Sequence, residues 1–113
     1  HISTDYVFDG ECNKPYLETD TPNPINAYSR TKLAGEKALQ TVMPMNALII
    51  RTSWLYSEYG NNFVKTMLRL GRKQDEVNVV SDKIGSPTLA TNLSAAILKI
   101  VNNKDYLNIE TTT

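Results

Sequence analysis

The chain has little of what metal-binding, disulfide-bonded and membrane proteins need. It contains one cysteine, Cys12, and one histidine, His1, so it can form no intrachain disulfide and offers no cysteine–histidine metal site. Its longest apolar runs, Ala47–Ile50 and Ala95–Leu98, fall far short of the roughly 18 residues that a membrane helix needs. No charged segment followed by an apolar stretch opens the chain as a secretion signal would. We therefore expect a cytoplasmic protein with no metal and no membrane partner.

The chain also lacks a net charge, because 12 Lys and Arg residues balance 12 Asp and Glu residues. Binding to nucleic acid requires a surplus of positive charge on one face, so the zero net charge argues against nucleic acid as the main partner. Hydrophobic residues make up 41% of the 113 residues, which is too many for a disordered chain. The length is within the size of one domain.

Glycine is scarce, and its spacing matters. The five glycines never approach the G-x-x-G-x-x-G spacing of a dinucleotide-binding loop. The chain opens on His1 rather than Met, already reading as a strand, and residues 106–109 alternate as a strand does. We therefore predict that residues 1–113 are a single segment of a longer protein, lacking its Gly-rich N-terminal half. A small domain with frayed ends is the alternative.

The pattern of apolar and turn residues predicts alternating strands and helices. A Pro-rich loop, residues 11–24, separates the first strand from a helix that Asn26 caps and Pro44 ends. This order predicts an α/β fold, the C-terminal part of a Rossmann-like, doubly wound and mainly parallel sheet. The predicted elements are strand His1–Phe8, helix Ala27–Met43, buried strand Ala47–Ile50, helix Phe63–Gly71, strand Val77–Val80, helix Leu93–Ile100 and strand Tyr106–Ile109.

The strongest chemical signal is the pair Tyr28 and Lys32. Four residues apart on a helix, they share a face. An ammonium there stabilises a tyrosinate, so the phenol can give or take a proton near neutral pH. Thr4, near the end of the first strand, can face the same crevice, because ligands of open α/β sheets bind beyond the strand ends. The three groups suit protonation of a carbonyl that receives a hydride.

Four ordered blocks and one loop make the signal specific. The loop is Gly85-Ser86-Pro87-Thr88. Through these four blocks and the loop, the chain resembles the dTDP-4-dehydrorhamnose reductase family of the extended short-chain dehydrogenase/reductase superfamily over nearly its whole length. The blocks are Ser3-Thr4-Asp5-Tyr6-Val7-Phe8-Asp9-Gly10, Pro22-x-Pro24-x-Asn26-x-Tyr28-x-x-x-Lys32-x-x-Gly35-Glu36, Arg51-Thr52-Ser53-Trp54-Leu55-Tyr56 and Gly60-Asn61-Asn62-Phe63-Val64.

The resemblance implies the activity and its machinery. It implies reduction of the C4 keto group of dTDP-4-dehydro-L-rhamnose by NADPH or NADH, in nucleotide-sugar synthesis. Lys32 would also bind the nicotinamide ribose, and Ser53 would lie near the nicotinamide ring. Without a Gly-rich loop, the isolated 113 residues are expected to be inactive. The implied residues are Thr4, Tyr28 and Lys32 for catalysis, Tyr28, Lys32 and Ser53 for the cofactor, and Thr4, Tyr6, Trp54 and Asn62 for the sugar nucleotide.

Plainer interpretations stay open for several of these residues. Tyr6 can simply pack in the sheet, Trp54 can be a core residue, and Asn62 can serve only as a helix cap. Arg51 is interpreted as structural. A homodimer stays open, but no metal is carried over, because the helix after Pro87 offers no carboxylate in its first turn.

Two other functions compete with the reductase. A dehydratase or epimerase of the same superfamily has Asp-Glu after its catalytic Thr, whereas this chain has Asp5-Tyr6, which favours simple reduction. The regulatory subunit of methionine adenosyltransferase also resembles these reductases but acts by binding a partner. The complete set of Thr4, Tyr28 and Lys32 argues against that role.

Overall fold

A computed structural model describes residues 1–81 and 84–103. They form two compact units, residues 1–52 with Asn103 and residues 53–102. The elements are β1 (Ile2–Thr4), a one-turn 3-10 helix (Asp5–Val7), α1 (Ala27–Val42), β2 (Ile50–Thr52), β3 (Leu55–Tyr56), α2 (Phe63–Gly71), β4 (Thr88–Leu89) and α3 (Ala90–Asn102).

The first unit is a parallel strand pair with one long helix. β1 pairs with β2, with Ile2 opposite Ile50 and Thr4 opposite Thr52. Parallel strands need a crossover between them, and α1 lies in that crossover. The helix buries Ser29, Leu33 and Glu36, which recur at helical spacing on one face. A buried carboxylate such as that of Glu36 needs a partner of opposite charge, and Arg51 supplies it.

The two ends of helix α1 are set by residues close to them in the sequence. The Asn26 side chain accepts a hydrogen bond from the Ser29 backbone N–H at 2.8 Å, and the Ser29 hydroxyl accepts one from the Asn26 N–H at 3.3 Å. This reciprocal box satisfies two otherwise free donors of the first turn. At the other end, Pro44 follows the capping residue Met43 and cannot continue the helix. The predicted cap and end are confirmed.

The first strand is shorter than predicted. We expected a strand as far as Phe8, but β1 ends at Thr4 and the chain turns into the 3-10 helix Asp5–Val7. The reason is the Thr4 hydroxyl, which accepts a hydrogen bond from the Tyr6 backbone N–H at 3.3 Å and so caps the turn. Hydroxyl side chains compete in this way with extended structure.

The second unit holds another parallel pair. β3 pairs with β4, with Leu55 opposite Thr88 and Tyr56 opposite Leu89. Helix α2 begins after its cap Asn62 and ends at Gly71, as the sequence predicts. Helix α3 covers the predicted apolar stripe and extends it at both ends. Strand β4 was not predicted, because it has only two residues and forms a strand only by pairing with β3, which is distant in the sequence.

Two predicted strands are wrong. In Ala47–Ile50 only Ile50 lies in a strand, and the Leu48 side chain is half exposed. The cause is the register, because β1 supplies partners only for residues 50–52. Residues Val77–Val80 form no strand and find no partner strand among residues 1–81 and 84–103. The strand predicted at Tyr106–Ile109 lies outside the described residues.

The predicted class of fold is confirmed. Both observed strand pairs are parallel, and helices connect the elements, as expected for an α/β segment of a Rossmann-like sheet. In the described part of the chain, no helix combines the length and the apolar character needed to cross a bilayer.

Candidate active site

Thr4 is the last residue of β1, at the strand end where the sequence predicts a ligand-facing hydroxyl. It is buried, with 6% of its surface exposed. Its hydroxyl donates to the Asp5 carboxylate at 3.3 Å and accepts from the Tyr6 N–H. Burial raises the pKa of the Asp5 carboxyl, and hydrogen bonds from Thr4 and from backbone groups only partly oppose the shift. The single donor of Thr4 is therefore engaged by Asp5 in this arrangement.

Tyr28 and Lys32 lie one turn apart in the first half of α1, as predicted. The Lys32 ammonium donates to the backbone carbonyl of Ile2 at 2.6 Å, which joins the helix to the strand that ends at Thr4. Tyr28 is 57% exposed, so its phenol is accessible to a ligand. An accessible phenol one helical turn from an ammonium has the groups needed to exchange a proton with a bound carbonyl compound.

A buried ion pair lies one further turn along the same helix. The Glu36 carboxylate is 1% exposed and binds the Arg51 guanidinium through two bonds, Nε–Oε1 at 3.1 Å and Nη2–Oε2 at 2.7 Å. Burial by itself would raise the pKa of Glu36, but the bonds and charge of Arg51, with the charge of Lys32, outweigh it and lower that pKa. The structural role expected for Arg51 is thereby explained.

The long loop is held by a ring stack and a carboxylate. The Cζ atom of Arg51 lies 5.1 Å from the centroid of the Phe8 ring. The same ring stacks on Tyr16, with ring centroids 4.3 Å apart. The Tyr16 hydroxyl donates to Asp9 at 2.8 Å, and the Asn23 amide donates to the other oxygen at 2.9 Å. Hydrogen bonds from the Glu11 N–H, Asn23 and Tyr16 lower the pKa of Asp9 to about 2.

Tyr6 lies in the 3-10 helix of the first unit, and the second unit carries the other three predicted residues. Trp54 is 37% exposed, and its ring lies 6.4 Å from that of Phe63. The Ser53 hydroxyl donates to the Ser86 carbonyl at 2.8 Å. Asn62 caps α2 by accepting from the Lys65 N–H at 3.0 Å, and its amide donates to the Ser57 carbonyl at 2.7 Å. Asn62 therefore has the capping role that the sequence left open.

Sequence reasoning missed two parts of this arrangement. The Glu36–Arg51 pair joins residues 15 positions apart, and only the Glu at helical spacing from Lys32 signals it. The sequence assigns Asp9 no role, but three hydrogen bonds fix its carboxylate. Across residues 1–81 and 84–103 no three His, Cys, Asp or Glu side chains cluster in a way that could hold a metal.

Parallel strand pairs, connecting helices and a tyrosine and a lysine one turn apart define an α/β protein of the Rossmann-like class. The chain belongs to the family described as RmlD substrate binding domain, whose model matches residues 1–110.

Curated relatives carry reductase names. A dTDP-4-dehydrorhamnose reductase from Sinorhizobium fredii is 54% identical over 100 residues, covering 88% of this chain and 33% of that protein. One from Escherichia coli is 50% identical over 107 residues, covering 92% of this chain and 36% of that protein. The chain therefore spans about a third of the length of these relatives.

Solved structures agree with the fold. A dTDP-4-dehydrorhamnose reductase from Clostridium acetobutylicum superposes with a TM-score of 0.85 at 50% identity, covering 93% of this chain and 37% of that one. One from Bacillus anthracis, solved in complex with NADP, gives a TM-score of 0.82 at 47% identity, covering 94% and 37%.

Proposed function

We propose that residues 1–113 form the catalytic and substrate-binding portion of a cytoplasmic dTDP-4-dehydrorhamnose reductase. The longer protein reduces the C4 keto group of dTDP-4-dehydro-L-rhamnose to give dTDP-L-rhamnose. Family membership and the names of the relatives support the proposal. The observation that carries it is the 2.6 Å bond from Lys32 to the Ile2 carbonyl. This bond ties the helix of Tyr28 to the strand that presents Thr4.

Tyr28 is the proposed proton donor. Its accessible phenol gives a proton to the C4 oxygen of the sugar, and the Lys32 ammonium stabilises the tyrosinate that remains. Thr4 orients the same oxygen by donating its hydroxyl hydrogen. Because that hydrogen points to Asp5 in the free chain, the Thr4 hydroxyl must turn away from Asp5 when the substrate binds.

Lys32 fits the cofactor role as well. An ammonium has three N–H donors, and the Ile2 carbonyl takes one of them, which leaves two for the hydroxyls of a ribose. We propose that Lys32 and Tyr28 hold the ribose of NADPH or NADH, and that Ser53 lies near the nicotinamide ring. A relative solved in complex with NADP supports this choice of cofactor. The nicotinamide, when bound, supplies the hydride.

The proposed contacts to the sugar nucleotide rest on exposure and on free donors. Tyr6 is 44% exposed and Trp54 is 37% exposed, so both rings retain surface for a ligand. Asn62 uses its oxygen and one amide hydrogen within α2 and the preceding loop, which leaves one N–H for the substrate. Thr4 contributes through the carbonyl contact described above.

The test is Tyr28→Phe in the full-length protein. Removing the proton donor is expected to lower kcat for oxidation of NADPH by the 4-keto sugar nucleotide at least about a hundredfold. Cofactor binding, measured by NADPH fluorescence, should weaken far less than kcat falls, because Lys32 still binds the ribose when the Tyr28 hydroxyl is removed. Tyr59→Phe is the matched control, because Tyr59 is 77% exposed and has no proposed role.

The same experiment separates the competing functions. A wild-type protein that consumes no NADPH with this substrate, or a Tyr28→Phe variant with unchanged kcat, contradicts the reductase assignment. Release of water from a 4-hydroxy sugar nucleotide would indicate a dehydratase instead. If the chain acts only by binding a partner, Tyr28→Phe should leave that binding unchanged.

A further inference from the structure

Trp54 has an unusual backbone for a large residue. Its φ is +44°, in the left-handed region that residues other than glycine rarely adopt. Such strain persists only where the surroundings hold the residue in place. Here the Trp54 carbonyl accepts a hydrogen bond from the Thr88 N–H at 3.2 Å, and the next residue, Leu55, pairs with Thr88 in the sheet. The main chain at Trp54 is thus fixed on one side by β4.

The Trp54 indole occupies the space that a side chain at position 85 would need. A Cβ built on Gly85 would lie 3.0 Å from Cε2, 3.1 Å from Cζ2 and 3.4 Å from Nε1 of the indole. Contacts this short require the ring to shift by a few tenths of an ångström. The φ of Gly85 lies outside the left-handed region, so its backbone conformation admits other residues. Glycine is needed here for the ring that packs on it rather than for the turn.

The same segment holds the residue before Trp54. The Ser86 carbonyl accepts the Ser53 hydroxyl hydrogen at 2.8 Å. Residues 85–88 therefore fix three consecutive positions, Ser53 through a carbonyl, Trp54 through close packing and Leu55 through strand pairing. The indole also lies near Phe63, with ring centroids 6.4 Å apart and tilted by 44°. The indole thus packs on Gly85 and lies near Phe63, so a methyl group at position 85 would change the position of the ring.

We propose that Gly85 is a positioning residue that sets the plane of the Trp54 indole, and that this plane recognises the sugar ring of the nucleotide-sugar substrate. The inference rests on the proposed function and adds a residue to it. A flat aromatic surface contributes to a ligand site by shape, so a small rotation of the ring weakens substrate binding. Gly85 itself does not touch the substrate.

The test is Gly85→Ala in the full-length protein. The methyl group displaces the indole, so KM for the 4-keto sugar nucleotide is expected to rise about tenfold, with kcat within about twofold of wild type. The near-UV circular dichroism of Trp54, obtained by subtracting the Trp54→Phe spectrum, should change without substrate present. Gly71→Ala is the matched control, because a Cβ at Gly71 meets nothing within 4 Å. It should change neither KM nor the spectrum.

A Trp54→Phe background tests the contact itself. The smaller ring leaves room for the methyl group, so Gly85→Ala should change KM less than about twofold in that background. An equal rise in KM in both backgrounds overturns the proposal, and so does an unchanged indole spectrum in Gly85→Ala. A changed spectrum in a protein whose wild type reduces no sugar nucleotide contradicts the proposed function, while the positioning of Trp54 by Gly85 stands.

Discussion

The two units hold their proposed functional groups by different means. In the first unit Thr4, Ser29 and Glu36 are buried, and direct side-chain bonds fix them. In the second unit neither α2 nor α3 buries a residue within the described part of the chain, and Ser53 and Trp54 are held by the segment 85–88. The proposed proton-transfer residues of the first unit thus lie beside buried, hydrogen-bonded side chains, whereas the Trp54 ring of the second unit packs against a loop.

The difference has an energetic meaning. Removing one partner of a buried, hydrogen-bonded charge pair leaves the other charge without compensation, which lowers stability more than losing an exposed neutral hydrogen bond does. Substitutions in the first unit should therefore lower stability most, whereas substitutions in the second unit should chiefly change substrate binding. Three predictions test this contrast.

The largest effect is expected at the buried ion pair. Glu36→Gln in the full-length protein should lower the free energy of unfolding by about 2 kcal/mol, because the Arg51 guanidinium loses its counter-charge. Ser53→Ala, which removes an exposed bond, should lower it by about 1 kcal/mol or less. Urea denaturation measures both. The contrast fails if the two variants lose equal stability.

A paired variant sharpens this first prediction. Glu36→Gln combined with Arg51→Gln removes both charges, so it should recover most of the stability lost in Glu36→Gln. If it recovers none, packing rather than charge pairing explains the role of Glu36.

A smaller effect is expected at the cap of α2. Asn62→Ala removes the acceptor of the Lys65 N–H and should lower the free energy of unfolding by about 1 kcal/mol. If the remaining amide hydrogen also contacts the sugar nucleotide, KM rises in the same variant. Asn61→Ala, one position earlier and exposed, is the control for both measurements. A loss of stability with unchanged KM would assign Asn62 to capping alone.

The smallest effect is a dependence on pH in the loop of the first unit. Because hydrogen bonds lower the pKa of Asp9 to about 2, the folded loop favours the carboxylate over its protonated form. The contribution of Asp9 to stability is therefore complete above its usual pKa of about 4 and is lost as the pH falls towards 2. Carbon-13 NMR titration of Asp9 should give a midpoint near 2, and Tyr16→Phe should raise that midpoint. An unchanged midpoint in Tyr16→Phe would contradict the hydrogen-bonded arrangement.

Sequence reasoning succeeded where the signal is local. Asn26, Pro44 and Asn62 mark the ends of helices through their own chemistry, so both bounds of α1 and the start of α2 were predictable. It failed where a distant partner decides. The apolar run before Ile50 is strand-like in isolation, but β1 pairs only with residues 50–52.

The candidate site divides in the same way. The spacing of Tyr28 and Lys32 is visible along one helix. Thr4 was expected near the strand end, although the predicted strand continued to Phe8 and the strand in fact ends at Thr4. The Glu36–Arg51 pair and the close contact of Gly85 with Trp54 join residues 15 and 31 positions apart. Only the folded chain brings such groups together.

The bond from Lys32 to the Ile2 carbonyl has a consequence for mutational scanning. Every amino acid supplies a main-chain carbonyl, so replacing the Ile2 side chain leaves this anchor of the amine intact. A mutational scan of position 2 would thus show little effect on the Lys32 anchor, although the main-chain carbonyl of this residue forms it. Converting the peptide link between Ile2 and Ser3 to an ester, whose carbonyl is a poorer acceptor, is the chemical change that reaches the anchor directly.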